Sequence, residues 1–398
     1  MTTELLDARE SLVGQIISAA GRRLLPRDLA GGMTLTLPSG RRHRIGFQKP
    51  GIHCDLTLRN YRPVLSAMRR GAVGFAESVM LGDVESTDIT SVLRFYLRNR
   101  DALNRAGRSV FFKSLGDRLF HMLRQNTRAG ARRNISAHYD LGNGFYELWL
   151  DRTMSYSSGL FGKGAETLEQ SQIAKYELVI DALGLKKSST ILEIGCGWGG
   201  FAEVAAERGH RVTGLTVSRE QLEFARKRLG TRAEIRFQDY RDTPEQFDAI
   251  ASIEMIEAVG EANWPTYFKV LHDRLKPGGT AAVQAITIDD GLFAGYRRKA
   301  DFIQRYIFPG GMLPTKRILA EQARRAGLAF STVEVFGQDY ARTLALWRER
   351  FEAAWPAIAR LGFDEQFRRR WSYYLSYCEA GFREGSIDVG IYRFHRAG

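Results

Sequence analysis

Cysteine is scarce in this 398-residue chain: Cys54, Cys196 and Cys378 stand far apart and without CxxC spacing. That excludes a disulfide framework and a zinc ribbon, and it suits a reducing cytoplasm; no metal site is expected. Acidic residues are also short, 45 against 58 Lys and Arg, which leaves a formal charge of +13. Such a balance points to an anionic partner, either nucleic acid or the face of a membrane. No RNA-recognition or helix-turn-helix pattern supports nucleic acid. Apolar runs long enough to cross a bilayer are missing, and the opening MTTELLDARESLVGQ is too acidic and polar for a signal peptide. With 44% hydrophobic and 26% charged residues, the chain reads as an ordinary globular protein of two or three domains.

Three regions follow one another. Residues 1–105 carry alternating patches (MTLTLPSG, HRIGFQ, CDLTLRN) and then helix-like stretches, which predicts a small α+β domain. Residues 106–135 are basic, with Arg108, Lys113, Arg118, Arg124, Arg128, Arg132 and Arg133 interleaved with Phe111, Phe112, Leu119 and Phe120. A basic amphipathic segment of this kind lies on an anionic membrane or serves as a connector with one apolar face, and the pattern leaves both open. From 136 to 398 strands alternate with helices: STILEIG, HRVTGLTVS, AEIRFQDY, FDAIASIE and GGTAAVQAITI supply five strands. That spacing predicts a parallel, doubly wound sheet with its ligands outside the carboxyl ends of the strands.

LEIGCGWGG places Gly195, Gly197, Gly199 and Gly200 after the first of these strands. The spacing is GxGxG where a dinucleotide site has GxGxxG, and the next strand ends in Leu215-Thr216-Val217-Ser218 with no acid for a ribose. With five βα units in order, the pattern favours S-adenosylmethionine over NAD, against the plainer reading of a tight turn. A second feature is SIEMIEAVG, which sets Glu254 and Glu257 directly after the apolar FDAIA. Two carboxylates there are costly to desolvate unless something holds them.

Several blocks, ISAHYDLGNGFYELWLDRTMSYSSGLF, ILEIGCGWGGFA, GLTVSREQ, FQDYRD, IEAVG, YIFPGGMLP, YARTLALW and YYLSYCEAGFR, together resemble the cyclopropane-fatty-acyl-phospholipid synthases and the related mycolic acid methyltransferases. The resemblance runs from about Asn134 to the C-terminus, and more loosely through GAVGFAESVMLGD. It implies a class I S-adenosylmethionine-dependent methyltransferase, Rossmann-like, with a smaller N-terminal lipid-binding domain of sterol-carrier-like shape. The implied partner is an anionic phospholipid membrane carrying unsaturated acyl chains, met from the cytoplasmic side; a homodimer stays open. The implied reaction is methyl transfer to an acyl double bond with cyclopropane as the expected product, and methyl- or methylene-branched chains as alternatives.

Residue by residue, the resemblance assigns Tyr156 and Ser157 to the loop closing over S-adenosylmethionine, and Gly195 and Gly197 to the turn beneath its amino acid portion. Thr216 and Gln221 match ribose contacts, with an N-cap and a surface helix position as their structural alternatives; Gln238, Asp239 and Tyr240 match the segment beside the adenine. Glu257 matches a glutamate that anchors a bicarbonate ion, the base of the reaction, and Tyr340 matches a hydroxyl on the same ion. Glu254 has no assignment. Tyr139, Tyr156, Phe302, Tyr306, Phe308 and Trp347 are aromatics suited to facing a carbocation. The chain departs from the family at Ser157-Ser158-Gly159, where many synthases read SCA, and at Gln284, where they carry a histidine on the ion. Gln284 can still donate a hydrogen bond, but it cannot carry a proton. Cys378 matches a cysteine once regarded as catalytic, although alkene methylation needs no thiolate and no nearby His would activate one. A small-molecule methyltransferase and a non-catalytic basic binding protein are the competing readings.

Overall fold

The computed structural model describes residues 28–107, 141–162 and 164–398, which form two units. The first holds the described residues up to 107 together with Gly362–Glu384; the second holds 141–361 and Gly385–Gly398. Tyr139 and all but the first two residues of the expected basic connector lie outside the described residues.

In the first unit β1 (Ala30–Thr36), β2 (Arg42–Gly46), β3 (Lys49–Leu58) and β4 (Val84–Glu85) make a sheet in the order β2-β1-β3-β4. The alternation in the strand sequences puts Leu56 and Leu58 on one face, where they pack with Val84 of β4 and with Phe75, Val79 and Val92 from the helices Arg62–Met80 and Ile89–Gly107. This is the expected α+β domain, with one correction. The helix Glu365–Arg383, expected in the catalytic domain, belongs here. The carboxylates of Glu379 and of Glu384, the residue just after this helix, meet donors on Ile89–Gly107: Thr90 donates to Glu379 (3.3 Å), and Arg94 and Arg98 donate to Glu384 (2.7 and 2.5 Å). Carboxylates this well enclosed need donors; Arg383 supplies one to Glu379 locally (2.8 Å), and the others lie nearly 300 residues away in sequence.

The second unit is built on a seven-stranded sheet. Its strands are β5 (Thr190–Ile194), β6 (Arg211–Thr216), β7 (Glu234–Phe237), β8 (Phe247–Ile253), β9 (Leu275–Ile288), β10 (Leu328–Val335) and β11 (Ile387–Arg396), in the order β10-β11-β9-β8-β5-β6-β7. The five expected strands run parallel; β11 is antiparallel to both its neighbours and closes the sheet with β10. β5 and β8 read as nearly continuous apolar runs because both faces are covered. Strand order reverses between them, and the doubly wound rule puts the ligand at that point. The helix Leu168–Leu183, which precedes β5, begins at a Thr167–Gln170 capping box and ends at Gly184 in the left-handed region.

Candidate active site

Glu254 is the residue immediately after β8, and its φ is +49°. A non-glycine residue in the left-handed region costs about 1 kcal/mol, and such outliers gather where a side chain has a task. Here the backbone turn carries the carboxylate back over the sheet edge, opposite Gln284 of β9, whose carbonyl accepts the Glu254 N–H (2.9 Å). Three donors converge on the carboxylate. Ser158 N–H (2.8 Å) and the Gln284 amide (2.7 Å) donate to Oε1, and the Tyr340 hydroxyl (2.6 Å) donates to Oε2. Ser158 and Gln284 are fully buried and Tyr340 nearly so.

The resemblance put Tyr340 on a bicarbonate ion and Gln284 where a histidine would hold it; here both, with Ser158 N–H, hold a side chain. The donors are already taken, so the residues present do not fit a separate anion at that place. The assignment of Glu257 as its anchor is corrected with it. Glu257, in the short helix Ile256–Val259, accepts from Ile286 N–H (2.6 Å) through one oxygen, and its other oxygen is buried with no hydrogen-bond partner.

The two carboxyls differ in what surrounds them. Burial pushes Glu254 above the usual carboxylate range, while the Tyr340 hydroxyl, Lys175, Ser158 N–H and the Gln284 amide all oppose that shift. Burial and the neighbouring Glu254 charge push Glu257 up to about 8, with little beyond backbone N–H to oppose them. The pair is thus unequal: four groups favour the charged form of Glu254, and a backbone N–H is nearly all that does so for Glu257.

An aromatic wall stands beside the carboxylate. The Trp347 ring lies 6.1 Å from Tyr340 and 5.3 Å from Tyr156, and Tyr156 also packs on Tyr146 (5.5 Å) and Trp149 (5.7 Å). Ring faces stabilise a passing cation without attacking it. Tyr306 and Phe302 pair at 5.6 Å on the helix Phe302–Tyr306. That helix is tied to the next loop by Gln304, which donates to the Gly311 carbonyl, and Met312 N–H in that loop donates to the Glu257 carbonyl. Cys378 is half-buried on Glu365–Arg383 of the first unit. Cys196, buried under β6, is a packing residue.

The cofactor residues gather at the ends of β5, β6 and β7. Gly195 and Gly197 adopt φ of +83° and +52°, and a Cβ built on Gly197 meets no protein atom within 4 Å. That open cradle above a glycine turn fits a ligand approached by backbone. Thr216 donates to Gln221 Oε1 (2.9 Å), which leaves the amide's donor end for a ligand; Ser218, not Thr216, is the N-cap of Arg219–Leu229. Asp239 receives the Arg241 guanidinium (2.6 and 2.8 Å), Gln238 donates to Thr243 (3.2 Å), and Tyr240 packs edge-on against Tyr267.

Sequence reasoning missed Lys175. It is fully buried on Leu168–Leu183 and donates to the Ser157 hydroxyl at 2.6 Å. The signal was present: Leu168, Gln172, Lys175, Tyr176 and Val179 share one face at helical spacing, and a lysine inside such a stripe has to have a buried partner.

Comparison with known proteins identifies the family. The family model described as mycolic acid cyclopropane synthetase matches residues 126–392. A tuberculostearic acid methyltransferase of Mycobacterium tuberculosis is 40% identical over 83% of this chain and 80% of its own length. The cyclopropane-fatty-acyl-phospholipid synthase of Escherichia coli is 36% identical over 86% and 88%. Among solved structures, a mycolic acid cyclopropane synthase complexed with SAH and CTAB superposes with a TM-score of 0.63 at 30% identity, covering 67% of this chain and 98% of that one.

Proposed function

Since the chain belongs to the mycolic acid cyclopropane synthetase family and is an S-adenosylmethionine-dependent methyltransferase, we propose that it methylates the double bond of unsaturated fatty acyl chains carried on membrane phospholipid. We assign to Glu254 the removal of a proton from the transferred carbon. The observation that carries this reading is the Glu254 carboxylate, held by three donors at the end of β8 beside an aromatic wall.

Bound S-adenosylmethionine supplies an electrophilic methyl on a sulfonium. The alkene's π pair would form the new carbon–carbon bond as the methyl–sulfur bond breaks and its pair returns to sulfur, which would leave the positive charge on the acyl chain. Tyr156, Trp347 and Tyr340 face that charge with ring electrons and exclude water that would quench it. Glu254 then accepts a proton from the new methyl. The C–H pair closes a cyclopropane if the proton leaves at once; if a hydride shifts first, the same pair forms a methylene branch. A carboxylate stabilised by three hydrogen bonds and the Lys175 charge is a slow base, and slowness favours the shift. The methylene branch is therefore the closure we assign, and the likeness to a tuberculostearic acid methyltransferase supports fatty acyl methylation. Cyclopropane, the product expected from the sequence, is the second reading, favoured by the likeness to the Escherichia coli synthase.

Trideuterated-methyl S-adenosylmethionine and vesicles of unsaturated phospholipid test this. Two deuteriums are expected in the acyl product, with an exocyclic double bond that disappears on mild hydrogenation. Two deuteriums in a ring resistant to hydrogenation would establish the cyclopropane, and three would remove Glu254 from the step. Label in a small acceptor, with none in lipid, would overturn the substrate class.

The excess of basic residues supports action at an anionic bilayer surface, on the cytoplasmic side. Among the described residues no helix is long and apolar enough to cross a membrane. Arg128, Arg132 and Arg133 lie outside the described residues, and each basic group near an anionic surface contributes about 1 kcal/mol. Neutralising all three should weaken binding to anionic vesicles roughly a hundredfold, and added salt should mimic the change. Vesicle sedimentation indifferent to both would make the segment a connector.

A further inference from the structure

Lys175 enters the chemistry above only through its charge, yet it is fully buried and held by specific contacts. Its ammonium donates to the Ser157 hydroxyl at 2.6 Å, and Gln172, one turn earlier on the same helix face, donates its amide to the Ser157 carbonyl at 2.8 Å. Both side chains are fully buried and Ser157 nearly so. Ser157 is thus gripped twice, once by its side chain and once by its main chain. The carbonyl that Gln172 holds belongs to the same peptide as the Ser158 N–H, and that N–H is one of the three donors to Glu254. Fixing one end of a planar peptide fixes the direction of the other.

We propose that Gln172 and Lys175 are positioning residues for Glu254: together they aim the Ser158 N–H at its carboxylate, and the Lys175 charge holds that carboxylate ionised. The inference rests on Glu254 acting as the base. The groups facing Lys175 are Glu254, Asp151, Glu193 of β5 and the Tyr176 ring at 4.3 Å; those facing Glu254 are Lys175, Tyr340, Gln284, Ser158 and Glu257. Among these Lys175 is the cation, set amid buried carboxyls. Burial draws the lysine itself down to about 8, and the neighbouring acids oppose this, so it remains charged at neutral pH. Removing it withdraws an interaction that lowers the Glu254 proton affinity, and the base then stays protonated to higher pH.

The test measures kcat against pH for the full chain with labelled S-adenosylmethionine and unsaturated phospholipid vesicles, and S-adenosylmethionine affinity by calorimetry. Lys175→Met should lower kcat about thirtyfold or more at neutral pH and move the acid limb up by about one pH unit or more, with cofactor affinity within about threefold. Gln172→Leu removes the grip and leaves the charge, so kcat should fall about tenfold with the acid limb in place. An acid limb unmoved in Lys175→Met, or wild-type kcat in either variant, overturns the proposal. Should Lys175→Met not fold, the Gln172→Leu result decides. Glu254→Gln is run alongside: if it keeps turnover, the base assignment itself fails, a result distinct from any given by the two positioning variants.

Discussion

Glu254→Gln should lower turnover about a thousandfold, the scale of a general base removed, while S-adenosylmethionine still binds. Glutamine keeps the shape, but it cannot accept the proton, and its NH2 would face the Tyr340 hydroxyl or the Gln284 amide, donor against donor. Single-turnover transfer of labelled methyl into acyl chains reads the loss. Wild-type transfer by this variant would return the base to another group. Glu257→Gln is expected to cost far less, because the carboxyl it replaces, pushed up to about 8 by burial and by Glu254, is already neutral at pH 7. That same shift makes a stability statement. With a folded pKa above the unfolded value of 4.5, the native state binds more protons than the unfolded chain between those limits. The contribution of Glu257 is therefore fully present below pH 4.5 and is lost as pH rises through about 8. Denaturant titrations across that window should show a shallower fall for Glu257→Gln than for the wild type.

Gly197→Val should abolish measurable S-adenosylmethionine binding, a loss of at least about a hundredfold in affinity. The new side chain meets no protein atom at its Cβ, so the domain keeps its packing. The backbone cost of an L residue at φ +52° is about 1–2 kcal/mol, which lowers the unfolding temperature by only a few degrees in a protein of this size. Gly195 is a poorer test, since its Cβ would already crowd the Met255 side chain at 3.1 Å. Calorimetry on a Gly197→Val chain with a normal melting curve isolates the ligand's space from the fold's. Unchanged affinity would displace the cofactor from this turn.

Legibility in the sequence followed range. Period-2 alternation and apolar runs are local signals, and so the five parallel strands, the small α+β domain and the glycine turn could all be read along the chain. So could the residues that meet at the site, since Ser158, Glu254, Glu257, Gln284 and Tyr340 each lie in a recognisable block. What could not be read was which of two glutamates three residues apart receives the donors. That depends on a single backbone dihedral, the +49° at Glu254, which swings its carboxylate over the edge of β9 and leaves Glu257 with a backbone N–H. The return of Glu365–Arg383 to the first unit is equally a matter of contacts: Arg383 serves Glu379 locally, but the donors from Thr90, Arg94 and Arg98 to Glu379 and Glu384 are remote in sequence. Sequence alone determined the inventory of groups, because residue type sets what each can donate, accept or ionise. Only the tertiary structure decided their pairing: hydrogen bonds act over about 3 Å, and such distances between residues far apart in the chain exist only once it is folded.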